Sequence, residues 1–231
     1  MTVGTEREWQ AARKELLEAE RELEQHTERV EAQRRELPWV PVEKAYSFAT
    51  EAGSKTLSEL FDGRSRLIIY HLMFGEDWEV ACPGCTSVAD GFDGTLVHVN
   101  GQGVTLICMS RAPREKLDAF KAPRGWTVPW VSGYGSDFLF DYGFAFGSKE
   151  MASGNRDEFD MTELIREAPQ WLRDYRDEVG APNLESAVSV SAGWSVFAMR
   201  DGAIYNTYRA YPPSRLVTPL FSGLFGLLPA Q

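Results

Sequence analysis

The chain has 231 residues, of which 43% are hydrophobic, enough for one full hydrophobic core with an appendage. Its formal net charge of −10 at pH 7 argues against nucleic acid or an anionic membrane surface as a partner, because both are themselves negative. No stretch has the length of apolar sequence that a membrane span needs, and the N-terminus lacks the basic start and apolar core of a signal peptide. We therefore expect a cytoplasmic protein.

A long surface helix is predicted over residues 5–36, since more than half of them are charged and none is glycine or proline. The larger apolar side chains recur every seven residues, at Trp9, Leu16, Leu23 and Val30. The positions three residues later decay to His26 and Gln33, which leaves half of a coiled-coil seam. Such a stripe either packs on the chain's own domain or forms a dimerisation arm, and both interpretations stay open. We predict a helical arm over residues 1–37 and a globular domain over residues 38–231.

Prolines end this helix, and short extended segments follow it. Pro38 and Pro41 cannot continue a helix. The sequence then predicts an extended segment at 46–48, a turn at 51–54 and one helical turn at 56–63.

The apolar centre of the chain has a β-α-β order. The run Leu67–Phe74 predicts the central strand, and Val104–Met109 predicts a second strand that is buried on both faces. A helix is predicted between them, from Pro83 to His98. This order implies a right-handed crossover and two parallel strands.

The most informative motif is Cys82-Pro83-Gly84-Cys85, which lies between the first of these strands and the helix. Two cysteines separated by two residues can close a small disulfide ring and open it again. When the first of them begins a helix, unpaired backbone N–H groups and the helix dipole stabilise its reactive thiolate. Pro83 fits that position, because proline is favoured in the first helical turn. The order of strand, CxxC and helix therefore predicts a thioredoxin-like redox dithiol.

Other uses of the two cysteines fit the sequence less well. A structural zinc site needs four nitrogen or sulfur ligands, and Cys108, His71 or His98 would have to complete the set. Haem attachment would place a histidine directly after Cys85, where Thr86 stands. A permanent disulfide is disfavoured in a cytoplasmic chain, because thiols are kept reduced there. We therefore expect neither a metal nor another cofactor, and we interpret His71 as a core histidine.

The second half of the chain contains a helical insertion and a final hairpin. Five aromatic residues alternate with other types over residues 138–146, which predicts a strand with one buried face. Residues 148–182 predict a polar helical insertion in which Pro169 restarts the helix. Strands are predicted at Trp194–Met199 and Ile204–Tyr208, on either side of a tight turn.

Many short motifs of the chain occur in the same order in a known family, over about residues 5–147 and 187–211. They include Leu37-Pro38-Trp39-Val40, Leu60-Phe61-Asp62-Gly63-Arg64-Ser65, Tyr70-His71-Leu72-Met73-Phe74-Gly75, Cys82-Pro83-Gly84-Cys85, Ser110-Arg111-Ala112-Pro113, Pro129-Trp130-Val131-Ser132 and Gly135-Ser136-Asp137-Phe138. Because of these motifs, the chain resembles an uncharacterised thioredoxin-like family whose members are proposed to be dithiol-disulfide oxidoreductases. This family is related to the peroxiredoxins and thiol-specific antioxidants. The resemblance implies an α/β fold, a thioredoxin-like three-layer sandwich with a central mixed sheet and flanking helices.

Two departures from related families bear on function. The residues before the first hairpin strand, Ser191-Ala192-Gly193-Trp194, contain no proline, whereas thioredoxins place a cis-proline there to face the disulfide. The absence of this proline favours the peroxiredoxin-like branch and argues against a general protein-disulfide reductase. Peroxiredoxins, however, present a threonine three residues before the reactive cysteine, and Glu79 stands there before Cys82.

The resemblance and the motif together give a set of candidate site residues. Cys82 is predicted to attack a substrate disulfide as the thiolate, and Cys85 to resolve the mixed disulfide. In this fold Arg111 lies at the end of the adjacent strand. There it either offsets the negative charge of Glu76, Asp77 and Glu79 near Cys82, or forms an ion pair with a carboxylate such as Asp90 or Asp137. The substrate side is predicted to include four further residues, Trp78, Pro83, Trp126 and Trp130. For Trp126 and Trp130, core packing is an equal alternative.

The sequence thus supports a thiol-disulfide oxidoreductase, with two alternatives. One is a thiol peroxidase of the peroxiredoxin type, and the other is a non-catalytic redox sensor or interaction protein. The expected partners are a protein or small-molecule disulfide or peroxide, an electron donor, and a second copy of the chain through the N-terminal helix. Neither nucleic acid nor a membrane is expected as a partner.

Overall fold

The structure is a computed structural model that describes residues 3–147 and 161–211. The chain divides into two compact units, residues 1–39 and residues 40–231. Within the described residues, no helix has the length and apolarity that crossing a membrane requires.

The first unit is the predicted long helix, α1 (Glu6–Arg35). A capping box starts it: the Thr5 hydroxyl accepts from the Glu8 backbone N–H, and the Glu8 carboxylate accepts from the Thr5 N–H at 2.7 Å. Basic residues occupy its last turn, where they suit the negative end of the helix dipole. No residue of α1 is buried, including the apolar stripe.

The second unit is built on one eight-stranded sheet, whose strands are β1 (Val40–Pro41), β2 (Ser47–Thr50), β3 (Gly53–Thr56), β4 (Arg66–His71), β5 (Val104–Ser110), β6 (Trp130–Ser132), β7 (Gly193–Arg200) and β8 (Ala203–Ala210). Their order in the sheet is β1-β8-β7-β4-β5-β6-β2-β3. Strands β4, β5 and β6 are parallel, and β7 lies antiparallel to β4 and to β8. The central strand order is β8-β7-β4-β5, and a β-α-β crossover joins the parallel strands β4 and β5. This is the thioredoxin-like arrangement.

Seven further described helices accompany the sheet: α2 (Pro83–Ala89), α3 (Asp93–Gly101), α4 (Arg114–Lys121), α5 (Phe138–Asp141), α6 (Met161–Glu167), α7 (Gln170–Val179) and α8 (Leu184–Ala187). Short 3-10 helices lie at Glu59–Phe61 and Ala122–Arg124. All seven residues of β5 are buried, as the apolar run predicted. The predicted β-α-β unit, the final hairpin and the helix restart at Pro169 are confirmed.

Two predicted elements are wrong in part. The single helix from Pro83 to His98 is two helices, α2 and α3, with a break at residues 90–92. The predicted strand over 138–146 is the one-turn helix α5 followed by a turn at Gly143, whose φ is +72°. Phe138 and Phe144 are buried, so the aromatic side chains do form core. The alternation of aromatic residues in the sequence therefore marks residues of the core, but it does not mark a strand.

Candidate active site

Cys82 lies at the junction between the loop after β4 and helix α2. It is the N-cap residue of α2, and Pro83 follows in the first turn. The Cys82 backbone N–H donates to the Met73 carbonyl at 2.9 Å, and the Cys82 carbonyl accepts from the Thr86 backbone N–H at 2.9 Å. The Thr86 hydroxyl donates to the same carbonyl. These bonds fix the backbone that carries the thiol.

Both thiols of the motif are free and buried, whereas the two residues between them are exposed. Cys82 is 7% exposed and Cys85 is 5% exposed. A Cβ on Gly84 would stand 3.9 Å from the Cys82 sulfur. A side chain at position 84 would therefore contact this sulfur.

The two thiols have opposite acidities. The pKa of Cys82 is lowered to about 6, first by a hydrogen bond from the Cys85 thiol and then by the Tyr175 hydroxyl and the backbone N–H groups of Cys85 and Gly84. Burial opposes these effects but does not cancel them. The pKa of Cys85 is raised, because its proton is shared with Cys82 and because the thiol is buried. At neutral pH this arrangement favours a thiolate on Cys82 and a thiol on Cys85.

Two buried tyrosine hydroxyls flank the dithiol. The Tyr175 hydroxyl approaches Cys82, and the Tyr70 hydroxyl approaches Cys85. Neither hydroxyl completes a hydrogen bond of good geometry within the described part of the chain. Burial, followed by the negative charge of the thiols, raises the pKa of both tyrosines, so both keep their protons. Each is a donor that can complete its bond when the neighbouring sulfur becomes negatively charged.

Helix α7 is tied to the loop that precedes Cys82. The backbone N–H groups of Glu79 and Val80 both donate to the Val179 carbonyl, at 3.0 and 3.2 Å. The buried Trp78 ring contacts the Tyr175 ring edge-on, with 5.8 Å between centroids. The Trp78 indole N–H donates to the Ser186 carbonyl at 3.0 Å. Of the polar insertion predicted at 148–182, residues 148–160 lie outside the described part of the chain, and the later part supplies, through α7, the Tyr175 side chain beside the Cys82 thiol.

The structure does not place Arg111 among the groups that lower the pKa of Cys82. Its guanidinium pairs with Glu76 at 3.3 Å and lies 4.9 Å from the centre of the Phe140 ring. Arg111 thus forms an ion pair with a carboxylate, as the alternative predicted, although the partner is Glu76 rather than Asp90 or Asp137, because the loop after β4 brings Glu76 closer.

The three tryptophans predicted on the substrate side are core residues, with 0%, 7% and 1% exposure for Trp78, Trp126 and Trp130. Trp126 donates to the Asp90 carboxylate at 2.8 Å, and Trp130 donates to the Ser110 hydroxyl at 2.9 Å. Burial of the rings removes them from direct contact with a substrate in this conformation. Pro83, in contrast, is exposed beside Cys82.

Cys108 and His71 lie in the sheet, apart from this chemistry. Cys108 is fully buried in β5, and burial raises the pKa of its thiol. His71 Nε2 lies 2.7 Å from the Ser195 hydroxyl, and the ring stacks on Phe144 at 3.5 Å. His71 is therefore a core histidine, as predicted, although its Nδ1 has no partner among the described residues. No group of three His, Cys, Asp or Glu side chains in the described ranges could hold a metal ion.

Over residues 1–228, the sequence matches the family described as bacterial protein of unknown function (DUF899). The chain belongs to this family. No curated protein matches it.

Several solved structures are similar to the chain at low identity. A bacterioferritin comigratory protein of Xanthomonas campestris with alkyl peroxide reduction activity has a TM-score of 0.46 and 14% identity, over 83% of this chain and 96% of that one. The peroxidoxin BcpB of Mycobacterium tuberculosis has a TM-score of 0.47 and 12% identity, over 84% and 97%. A proposed protein disulfide isomerase of Bacteroides thetaiotaomicron has a TM-score of 0.41 and 17% identity, over 83% and 93%. With TM-scores below 0.5, these likenesses do not bear on the chain's activity.

Proposed function

We propose that the protein is a thiol-disulfide oxidoreductase whose redox centre is Cys82 and Cys85. The observation that carries this proposal is the opposite acidity of two adjacent cysteines: a pKa of about 6 for Cys82 and a raised pKa for Cys85. A nucleophilic thiolate next to a protonated resolving thiol is what disulfide exchange needs.

The proposed reaction moves two electrons from the protein to a substrate disulfide. The Cys82 thiolate attacks one substrate sulfur, which forms a mixed disulfide and releases the other sulfur as a thiolate. Cys85 then loses its proton and attacks the Cys82 sulfur, which closes the Cys82–Cys85 disulfide and releases the second substrate thiol. An external dithiol reductant must return two electrons to the protein before the next cycle.

Trapping of the mixed disulfide tests this proposal. In a Cys85→Ser variant treated with a small disulfide, we expect the adduct to accumulate on Cys82, as mapped by mass spectrometry of its peptides. The Cys82→Ser variant should form far less adduct, because Cys85 remains buried and burial raises the pKa of its thiol. Cys108 should stay unmodified until the protein unfolds, since it is fully buried. An adduct that forms faster on Cys85 would contradict the proposal.

The same variants separate the alternative functions. In a thiol peroxidase the Cys82 thiolate would attack a hydroperoxide and take up one oxygen as a sulfenic acid, with release of water or an alcohol. The rate of this step would be far above that of a free thiol. A redox sensor would form the Cys82–Cys85 disulfide without turning over a substrate disulfide in the presence of an excess of dithiol.

We also propose a reducing compartment such as the cytoplasm as the site of action, because a dithiol that must be re-reduced works there.

A further inference from the structure

An apolar groove adjoins the dithiol. Its volume is about 1040 Å³, at the upper end of the range for small-molecule pockets. Its apolar lining comes from the loop after β4, from α6 and α7, and from the segment before β7, through Met73, Met161, Leu164, Leu172, Val188 and Val190.

Two residues connect this groove to Cys82. The Tyr175 side chain lines the groove, and its hydroxyl approaches the Cys82 sulfur. Met73 also lines the groove, and its carbonyl holds the Cys82 backbone N–H at 2.9 Å. A ligand in the groove is therefore bound against the residues that position the thiol.

The rim of the groove is acidic. Asp174, Asp177 and Glu178 line it and are exposed on α7. Arg176 pairs with Asp177 at 2.6 Å, which offsets one of the three charges. The remaining negative charge repels anionic thiols and disulfides and attracts cationic groups.

We propose that this groove binds an apolar segment of a substrate protein that carries a lysine or arginine beside its disulfide. The inference rests on the proposed function and names its substrate class. The volume exceeds the need of one small disulfide, and the two methionines supply an adaptable apolar surface. Trp171, 57% exposed at the rim, offers the kind of aromatic side chain that anchors protein partners.

Four chromogenic mixed disulfides test the inference on the Cys85→Ser variant. Each carries the same nitrothiobenzoate leaving group, so its release measures attack by Cys82. The first substrate is an apolar ten-residue peptide with lysine next to its cysteine. The second has glutamate in place of lysine, the third has polar residues in place of apolar ones, and the fourth is a benzyl disulfide without a peptide.

We expect the apolar cationic peptide to react about tenfold faster than either altered peptide at low salt. Added salt should shrink its advantage over the glutamate peptide and leave its advantage over the polar peptide. The double variant Asp174→Asn/Glu178→Gln should react with the lysine and glutamate peptides at similar rates. Leu164→Gln should lose the preference for apolar residues, whereas Glu163→Gln, exposed on the same helix outside the groove, should change neither.

The outcomes separate the groove from the dithiol chemistry. If Cys82 reacts with the benzyl disulfide but all peptides react equally, the groove inference is overturned and the proposed function stands. If the benzyl disulfide reacts as fast as the apolar cationic peptide, and Leu164→Gln slows both, the groove is a small-molecule site and the peptide inference is overturned. If Cys82 reacts with none of the four, the proposed function itself fails.

Discussion

The Tyr175 hydroxyl faces the sulfur of Cys82, although 93 positions separate the two residues. The hydroxyl is buried and completes no hydrogen bond within the described residues. A donor held in this way gains a partner when Cys82 is a thiolate and loses it when Cys82 enters a disulfide. The contact therefore favours the reduced form of the proposed Cys82–Cys85 redox pair.

Substitution of Tyr175 by phenylalanine tests this contact, because it removes the hydroxyl alone. We expect the pKa of Cys82 to rise, so that the pH midpoint of its alkylation rate moves upward relative to the parent with Tyr175. The midpoint can be measured with iodoacetamide in the Cys85→Ser background. Tyr134→Phe, at an exposed loop position, is the matched control and should leave the midpoint unchanged. An equal midpoint in Tyr175→Phe and its parent would contradict the assigned role.

A second prediction concerns the acid sensitivity of His71. Burial holds the pKa of His71 well below its usual 6.5, so the folded protein keeps this ring neutral. Below pH 6.5 the unfolded chain binds a proton that the folded chain does not, and stability falls by up to about 1.4 kcal/mol per pH unit. In urea unfolding between pH 7.5 and 5, His71→Gln should show a shallower loss of stability than the wild type. His98→Gln, at an exposed position of α3, is the matched control for the loss of a histidine.

A third prediction concerns the end of helix α7. Gly180 has a φ of +62°, and a Cβ there would stand 2.5 Å from Glu79 Cγ, in the loop before Cys82. We expect Gly180→Ala to lower the free energy of unfolding by about 1–2 kcal/mol from the backbone conformation alone. Gly125→Ala is the matched control, since Gly125 has a φ of +65° and a Cβ there meets nothing within 4 Å, so that only the contact with Glu79 makes Gly180→Ala the less stable of the two. Equal stabilities for the two variants, measured by chemical denaturation, would show that the close approach to Glu79 is unimportant.

A fourth prediction concerns the N-terminal helix α1. Its stripe of Trp9, Leu16 and Leu23 is more than half exposed at each position. A seam with only one apolar position per heptad is too weak for an autonomous coiled coil, so we propose that α1 contributes to a homodimer together with the globular domain. Light scattering should give a dimer for the full chain and a monomer after removal of residues 1–36. A full-length monomer at micromolar concentration defeats the proposal, and so does a truncated protein that remains dimeric.

The sequence predicted the parts of the fold that local patterns determine. The apolar runs of β4 and β5 indicate buried parallel strands, and the CxxC motif marks the start of α2 when it is taken together with Pro83 and the strand before it. The position of Tyr175 was not predictable in this way. Its spacing from Leu172 and Val179 shows a helix face that will be buried, but not that the face covers Cys82. The partner of Arg111 was missed for a related reason, because the path of the loop after β4 decides which carboxylate comes close.

The reduction potential of the Cys82–Cys85 pair tests the central claim most directly. It can be measured by equilibrating the protein in dithiol buffers of defined potential and titrating the free thiols. A stabilised Cys82 thiolate favours the reduced form, so we expect the reversible loss of two thiols at a midpoint between about −270 and −120 mV, as in redox-active dithiols. Mass spectrometry should place the loss of two hydrogen atoms on the single peptide that contains both cysteines. Failure to form this disulfide, or a midpoint below about −300 mV as in structural disulfides, would contradict the account.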